Sequence, residues 1–209
     1  MLEERENEVG IYCNNPECSQ LMCAKIEYWT SKEAMDIEFV GPSLIQQLYD
    51  KKLVSTPVDL YRLTIEDLMT LDNIKEKSAS NIYMSIQESK TRPLNRLVTA
   101  LGIRHVGKET ADILSNELRS IEDFKNATLE QLSDIDGIGE IIALSVYEFF
   151  HNDANIKLLE ELKELGINPI AKSEQKSVIL SGKVFVLTGT LPSMSRDEAK
   201  AFIEKNGGT

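Results

Sequence analysis

The chain has 209 residues, room for one or two compact domains, and its 42% hydrophobic and 27% charged residues exclude a disordered or fibrous protein. No apolar run approaches the ~20 residues of a membrane-spanning helix, and the acidic start, residues 1–10, is unlike a secretory leader, so a cytoplasmic location without membrane contact is expected. The net charge of −11 argues against a uniformly basic nucleic-acid binder. It is unevenly spread: residues 91–119 hold five basic side chains against three acidic, whereas residues 121–166 hold eleven acids against three lysines. One face could therefore approach DNA while another repels it.

In chain order, the first feature is a cysteine pair. Cys13 and Cys18 enclose Asn14-Asn15-Pro16-Glu17, a turn-rich spacer that allows two thiolates to converge on one ion. Two cysteines are half of a tetrahedral site, and a plain turn with two thiols has the same pattern. Cys23 falls on a helix predicted from Gln20 to Trp29 and reads as a small buried hydrophobe. An odd cysteine count does not suggest a disulfide framework.

The middle of the chain is a repeat. Segments anchored at Gly41, Lys75, Gly107 and Gly139 lie 34, 32 and 32 residues apart. Ala34, Leu68, Ala100 and Leu132 stand seven residues before the anchors, and Ile37, Leu71, Ile103 and Ile135 four before, which predicts one helical face. Val40, Ile74, Val106 and Ile138 immediately precede them. Ile45, Ala79, Ala111 and Ala143 follow at plus four and Leu48, Ile82, Leu114 and Val146 at plus seven, a second helical face. Each unit reads as helix, tight turn, helix, with glycine supplying unusual backbone angles at the turn.

Start and stop signals agree. Thr64 with Asp67, Ser120 with Asp123, Thr128 with Gln131 and Ser195 with Glu198 have the spacing of N-cap pairs. Gly102 and Gly166 suit C-caps, although Gly102 could equally belong to a turn. Nearly all of residues 31–166 is thus expected to be helical. Asn168-Pro169 and the polar residues after it read as a linker, residues 168–177. A buried strand from Lys183 to Leu187, a Thr188-Gly189 turn and an amphipathic helix ending at Gly207-Gly208 follow.

Helix N-termini expose unpaired amides and a partial positive charge, so such turns could cradle phosphate oxygens without reading bases. On that reading the DNA-binding candidates are Gly41, Lys75, Gly107, Gly137 and Gly139, with Lys77, Arg104 and Lys108 as electrostatic helpers. The competing reading is that the glycines let helices pack closely. No nucleophile elbow, P-loop, H-E-x-x-H or G-x-G-x-x-G after a strand is present, and His105 and His151 are far apart, so no catalytic residue is assigned.

Ala34-Met35-Asp36-Ile37, the run Ala100-Leu101-Gly102-Ile103-Arg104-His105-Val106-Gly107, and Asp136-Gly137-Ile138-Gly139 resemble the helix-hairpin-helix domain of bacterial NAD-dependent DNA ligases. The run from Tyr12 to Gln20 is similar to the second half of that family's four-cysteine zinc finger. The run from Leu180 to Leu191, with Ser195 to Ala199, looks like the first strand and helix of a BRCT domain that the chain does not complete. The resemblance implies a mainly α fold: a half zinc finger and connecting helix (1–30), a tandem helix-hairpin-helix domain with four hairpins (31–167), and an incomplete α/β BRCT start (178–209).

It implies zinc on Cys13 and Cys18, half of the site, and binding of nicked double-stranded DNA without base specificity. The partners implied are the ligase's N-terminal domains. NAD and magnesium belong to the full-length enzyme and not to this fragment, because the adenylated lysine's motif K-x-D-G is absent from the chain. The family pattern has glycine where Lys75 stands, which puts the second hairpin's backbone contact in question. The alternative function is a non-enzymatic helix-hairpin-helix module of a repair or recombination complex.

Overall fold

A computed structural model describes residues 2–4, 11–13 and 18–167, with 169, 180, 183–186, 199, 200, 202 and 203. The chain divides into two units, Met1–Ala171 and Lys172–Thr209. In the first, strands β1 (Leu2–Glu4) and β2 (Ile11–Cys13) pair antiparallel, with Leu2 opposite Cys13. Ten helices follow among the described residues: α1 (Ser19–Thr30), α2 (Pro42–Asp50), α3 (Ile65–Met69), α4 (Glu76–Ser89), α5 (Leu94–Ala100), α6 (Lys108–Glu117), α7 (Ile121–Asn126), α8 (Leu129–Ser133), α9 (Glu140–Phe150) and α10 (Asp153–Glu164). A 3-10 helix, Pro57–Arg62, lies between α2 and α3.

The repeat columns are the core. Ala34, Leu68, Leu132, Leu48, Leu114, Val146, Ala79, Ala111 and Ala143 have no solvent exposure. The helical assignment needs correction. Residues 31–41 run as turns, so α1 serves as the first helix of the first hairpin, and α3, α5 and α8 end before Leu71, Ile103 and Ile135. Leu71 and Ile103 are buried, and Ile135 half-buried, from the turn itself rather than from a helical face. The reason is local: the chain has to reverse within a few residues, and a longer first helix would carry it past its partner.

Capping follows the sequence signals. Thr64 and Thr128 close capping boxes with Asp67 and Gln131, and Ser120 Oγ accepts from the Asp123 amide. The Thr64 amide and hydroxyl hold the Asp67 carboxyl below its ordinary pKa. Gly102 and Gly166 both adopt left-handed φ, +63° and +87°, as C-terminal caps demand.

In the second unit, residues 183–186 form no strand, and Val184 and Val186 are 79% and 82% exposed. The buried strand expected from Lys183 is therefore not formed at residues 183–186, whose apolar side chains Val184 and Val186 face solvent instead of a core. Residues 199, 200, 202 and 203 are helical, with Ala199 buried. The expected linker apart from Pro169, the Thr188-Gly189 turn, the Ser195 cap and the closing glycines lie outside the described residues.

Candidate nucleic-acid interface

Each hairpin turns over four residues. The amides of Ile74, Val106 and Ile138 donate to the carbonyls of Leu71, Ile103 and Ile135 at 3.3, 3.0 and 3.0 Å. The residue two before the anchor is left-handed in all four units: Phe39 at +67°, Asn73 at +63°, His105 at +63° and Gly137 at +84°. A left-handed third residue is what a type II turn requires. The anchors Gly41, Lys75, Gly107 and Gly139 have φ of −95°, −111°, −91° and −80°, ordinary for any residue.

Glycine's tolerance of unusual angles therefore does not explain the anchors; it applies two residues earlier, where only Gly137 is a glycine. Its ideal Cβ would sit 3.3 Å from Ile113 Cδ1. Gly137→Val should accordingly cost about 2 kcal/mol, since a β-branched residue is strained at that φ. A lower urea midpoint checks it.

The anchors are N-caps of α2, α4, α6 and α9. A Cβ at Gly41, Gly107 or Gly139 would meet nothing within 4 Å, so protein packing does not demand glycine there. Gly107 and Gly139 are exposed, and among the described residues no partner satisfies the amides of Gly107, Lys108, Gly139 or Glu140. Bare amides at a helix N-terminus, under a surface kept free of side chains, can receive an oxyanion. Lys75 occupies the same extended cap without strain, so the second turn keeps the backbone shape of the others and adds an ammonium group.

The hairpins form two pairs. The Asp72 amide in the second turn donates to Gln47 Oε1 of α2 (2.8 Å), and the Glu38 amide in the first turn donates to Ser85 Oγ of α4 (2.7 Å). Ile113, six residues after its anchor as Gln47 is, lies over the fourth turn at Gly137. Arg104, placed as Glu38 is, shares a groove of about 560 Å³ with Phe149, the counterpart of Ser85. The true period is thus two hairpins. The sequence carried that signal in Thr56, Asp59 and Thr64, matched 64 residues later by Ser120, Asp123 and Thr128, but the 32-residue period hid it.

Basic residues are not all at the turns. Arg92 donates to the carbonyls of Met35 (3.2 Å) and Asp36 (3.1 Å), and Arg96 to those of Lys32 (2.8 Å) and Ala34 (2.9 Å), so two of the five cations counted over 91–119 hold the first turn region together. Lys75, Lys77, Arg104 and Lys108 are exposed at or beside the second and third turns. The acidic residues do not keep to a separate face: Asp134, Asp136 and Glu140 stand exposed at the fourth turn.

Cys13 ends β2 and Cys18 is the N-cap of α1, where the helix dipole favours a thiolate. Among the described residues no three His, Cys, Asp or Glu side chains gather as a metal site. Cys23 is half-buried against the core, and burial followed by the Asp50 charge pushes its thiol up. His105 is exposed at the third turn, and His151 stacks on Tyr147 at 3.9 Å, so neither has an acid-base partner in the other.

A tandem SAM-like helix-hairpin-helix family matches residues 31–88, the helix-hairpin-helix motif matches 96–159, and the BRCA1 C Terminus (BRCT) domain matches 175–209. The first match covers the first structural pair apart from α1, and the second covers the second pair from within α5. The DNA ligase of Syntrophomonas wolfei subsp. wolfei is 43% identical over 202 residues, 96% of this chain and 31% of that ligase. Those of Caldicellulosiruptor bescii and Brachyspira hyodysenteriae are 42% and 41% identical, over 97% and 98% of the chain and 30% and 31% of the ligases. The chain has the sequence of a DNA ligase C-terminal region. This ligase region spans about a third of the length of the curated relatives it matches.

Proposed function

We propose that this region holds nicked duplex DNA, without reading its sequence, for the catalytic core of an NAD-dependent DNA ligase acting in replication and repair in the cytoplasm. The observation that carries the reading is the set of exposed amides at Gly107 and Gly139 with no internal partner. Two hairpin pairs offer such amides to both strands across the minor groove, with Lys75, Lys77, Arg104 and Lys108 adding charge. The turns would fix the duplex in register, and joining would occur on residues outside this sequence, since K-x-D-G is absent here. NAD and magnesium serve that core.

Cys13 and Cys18 fit half of a structural zinc site: one closes a strand, the other caps a helix, and both are thiolate ligands by type. The ion would clamp the β1–β2 hairpin to α1. The sequence's third cysteine, Cys23, is not one of the proposed ligands, so the other pair would come from the ligase's N-terminal domains.

The direct test is a salt titration with nicked duplexes of unrelated sequence. Neutralisation of one phosphate by each of Lys75, Lys77, Arg104 and Lys108 predicts a log-log slope of about −3.6, and affinities equal within about twofold between sequences. A flat slope, or a marked preference for one sequence, would falsify the reading.

A further inference from the structure

The fourth hairpin is an anomaly on that reading. Its turn carries Asp134, Asp136 and Glu140, all exposed, which repel phosphate, and no lysine or arginine lies between Lys125 and Lys157. At the same place Ile141, the second residue of α9, is 70% exposed, and Leu144, one turn further on the same side, is 45% exposed. The repeat columns of the same helix are buried, Ala143 and Val146 having no exposure at all; Phe39, Met69, Met84 and Leu129 are exposed in other hairpin segments, and Ile141 exceeds each of them. Ile141 and Leu144 therefore form an apolar ledge that the protein leaves uncovered.

The ledge does not stand alone. It lines the groove whose opposite wall is Ile103, Arg104 and His105 of the third turn, while Glu148 sits further along α9. Its edge carries the unpartnered amides of Gly139 and Glu140. A duplex seated on the third turn would be anchored by Arg104 and Lys108 on one side of the groove and would meet an acidic rim with an apolar floor on the other. The uncharged part of a nucleic-acid backbone is its sugar. Deoxyribose offers C–H surface along the minor-groove edge, which an aliphatic side chain can cover without losing hydrogen bonds.

We infer that Ile141 and Leu144 are a sugar-binding ledge, packing against deoxyribose of the strand beside the one gripped by the third turn, so that the fourth hairpin supplies affinity independent of ionic strength. This rests on the duplex-binding reading above and deepens it.

Nicked-duplex affinity of the full 209-residue chain, with Ile141→Ala, Leu144→Ala and Lys108→Ala, separates the two. Ile141→Ala removes mostly exposed surface and should leave the melting temperature unchanged, whereas Leu144→Ala, at a side chain more than half covered, should lower it slightly, so affinities are compared well below both transitions. Ile141→Ala should weaken binding about three- to tenfold, as expected for partial burial of the lost carbons, and leave the salt slope unaltered. Lys108→Ala should instead reduce the slope by about one. Parent-like affinity of both ledge variants, with Lys108→Ala still weakened, overturns the ledge while leaving the duplex reading intact; such a result would assign the ledge to a protein neighbour. Absence of binding by the parent chain removes both.

Discussion

Gly107→Asn is expected to leave the protein as stable as the parent, or slightly more so, while lowering its affinity for nicked duplex DNA about ten- to a hundredfold. The anchor's φ of −91° and ψ of −176° are those of a helix N-cap, and asparagine is a better N-cap than glycine by a few tenths of a kcal/mol. Its Cβ would meet nothing within 4 Å, so the core has no reason to object. The new side chain would stand on the open face of the turn, where its Oδ1 can accept from the Glu109 or Thr110 amide and its bulk keeps a phosphate from the Gly107 and Lys108 amides. Losing one or two amide–phosphate bonds of about 1.5 kcal/mol each gives the stated range. Thermal melting and fluorescence anisotropy on one preparation check both halves. Parent-like binding would mean that the turn amides are not the grip.

The neighbouring Gly137→Val is the mirror case. There the left-handed φ and the Ile113 contact put the penalty into folding, and binding falls only with the folded fraction. Of two glycines two residues apart, the fold calls for Gly137 and not for Gly139.

Trp29→Ala should lower the stability of the first unit by about 4 kcal/mol, measured by urea denaturation. The indole closes α1, is 2% exposed, and packs edge-on to Tyr61 at 6.3 Å. Its Nε1 donates to Tyr61 Oη at 3.0 Å. That oxygen shares a hydrogen bond with Ser89 Oγ (3.2 Å), which donates to the Ile86 carbonyl at 2.7 Å. Burial pushes the Tyr61 hydroxyl up, so the neutral phenol persists in this chain of bonds. Truncation empties a large volume and also strips the phenol of a donor. Trp29→Phe keeps most of the volume and should cost about 1–2 kcal/mol. A loss below 1 kcal/mol for the alanine variant would show that α1 is not integral to the first hairpin.

The turn positions were legible because apolar columns recur at fixed distances on either side of each anchor, not because the backbone there restricts residue type. The apolar columns at minus seven, plus four and plus seven were legible because each faces the same core in every unit. The lengths of the first helices were not, since Ile37, Leu71, Ile103 and Ile135 pack on the core whether they sit on a helix or on the turn that ends it. Arg92 and Arg96 counted toward the basic balance of residues 91–119, but charge along a chain says nothing of what lies across from it. Only the folded chain brings the carbonyls of residues 32–36 beneath them.

By itself, the sequence determined that this protein is a mainly helical repeat with reversals at Gly41, Lys75, Gly107 and Gly139, because periodic apolar side chains and cap residues act over a few residues. Tertiary structure alone decided that the hairpins pack in pairs, that neither backbone angle nor packing calls for glycine at the anchors, and that Ile141 remains uncovered. Those properties depend on atoms distant in sequence, and a local pattern holds no information about what packing will leave exposed.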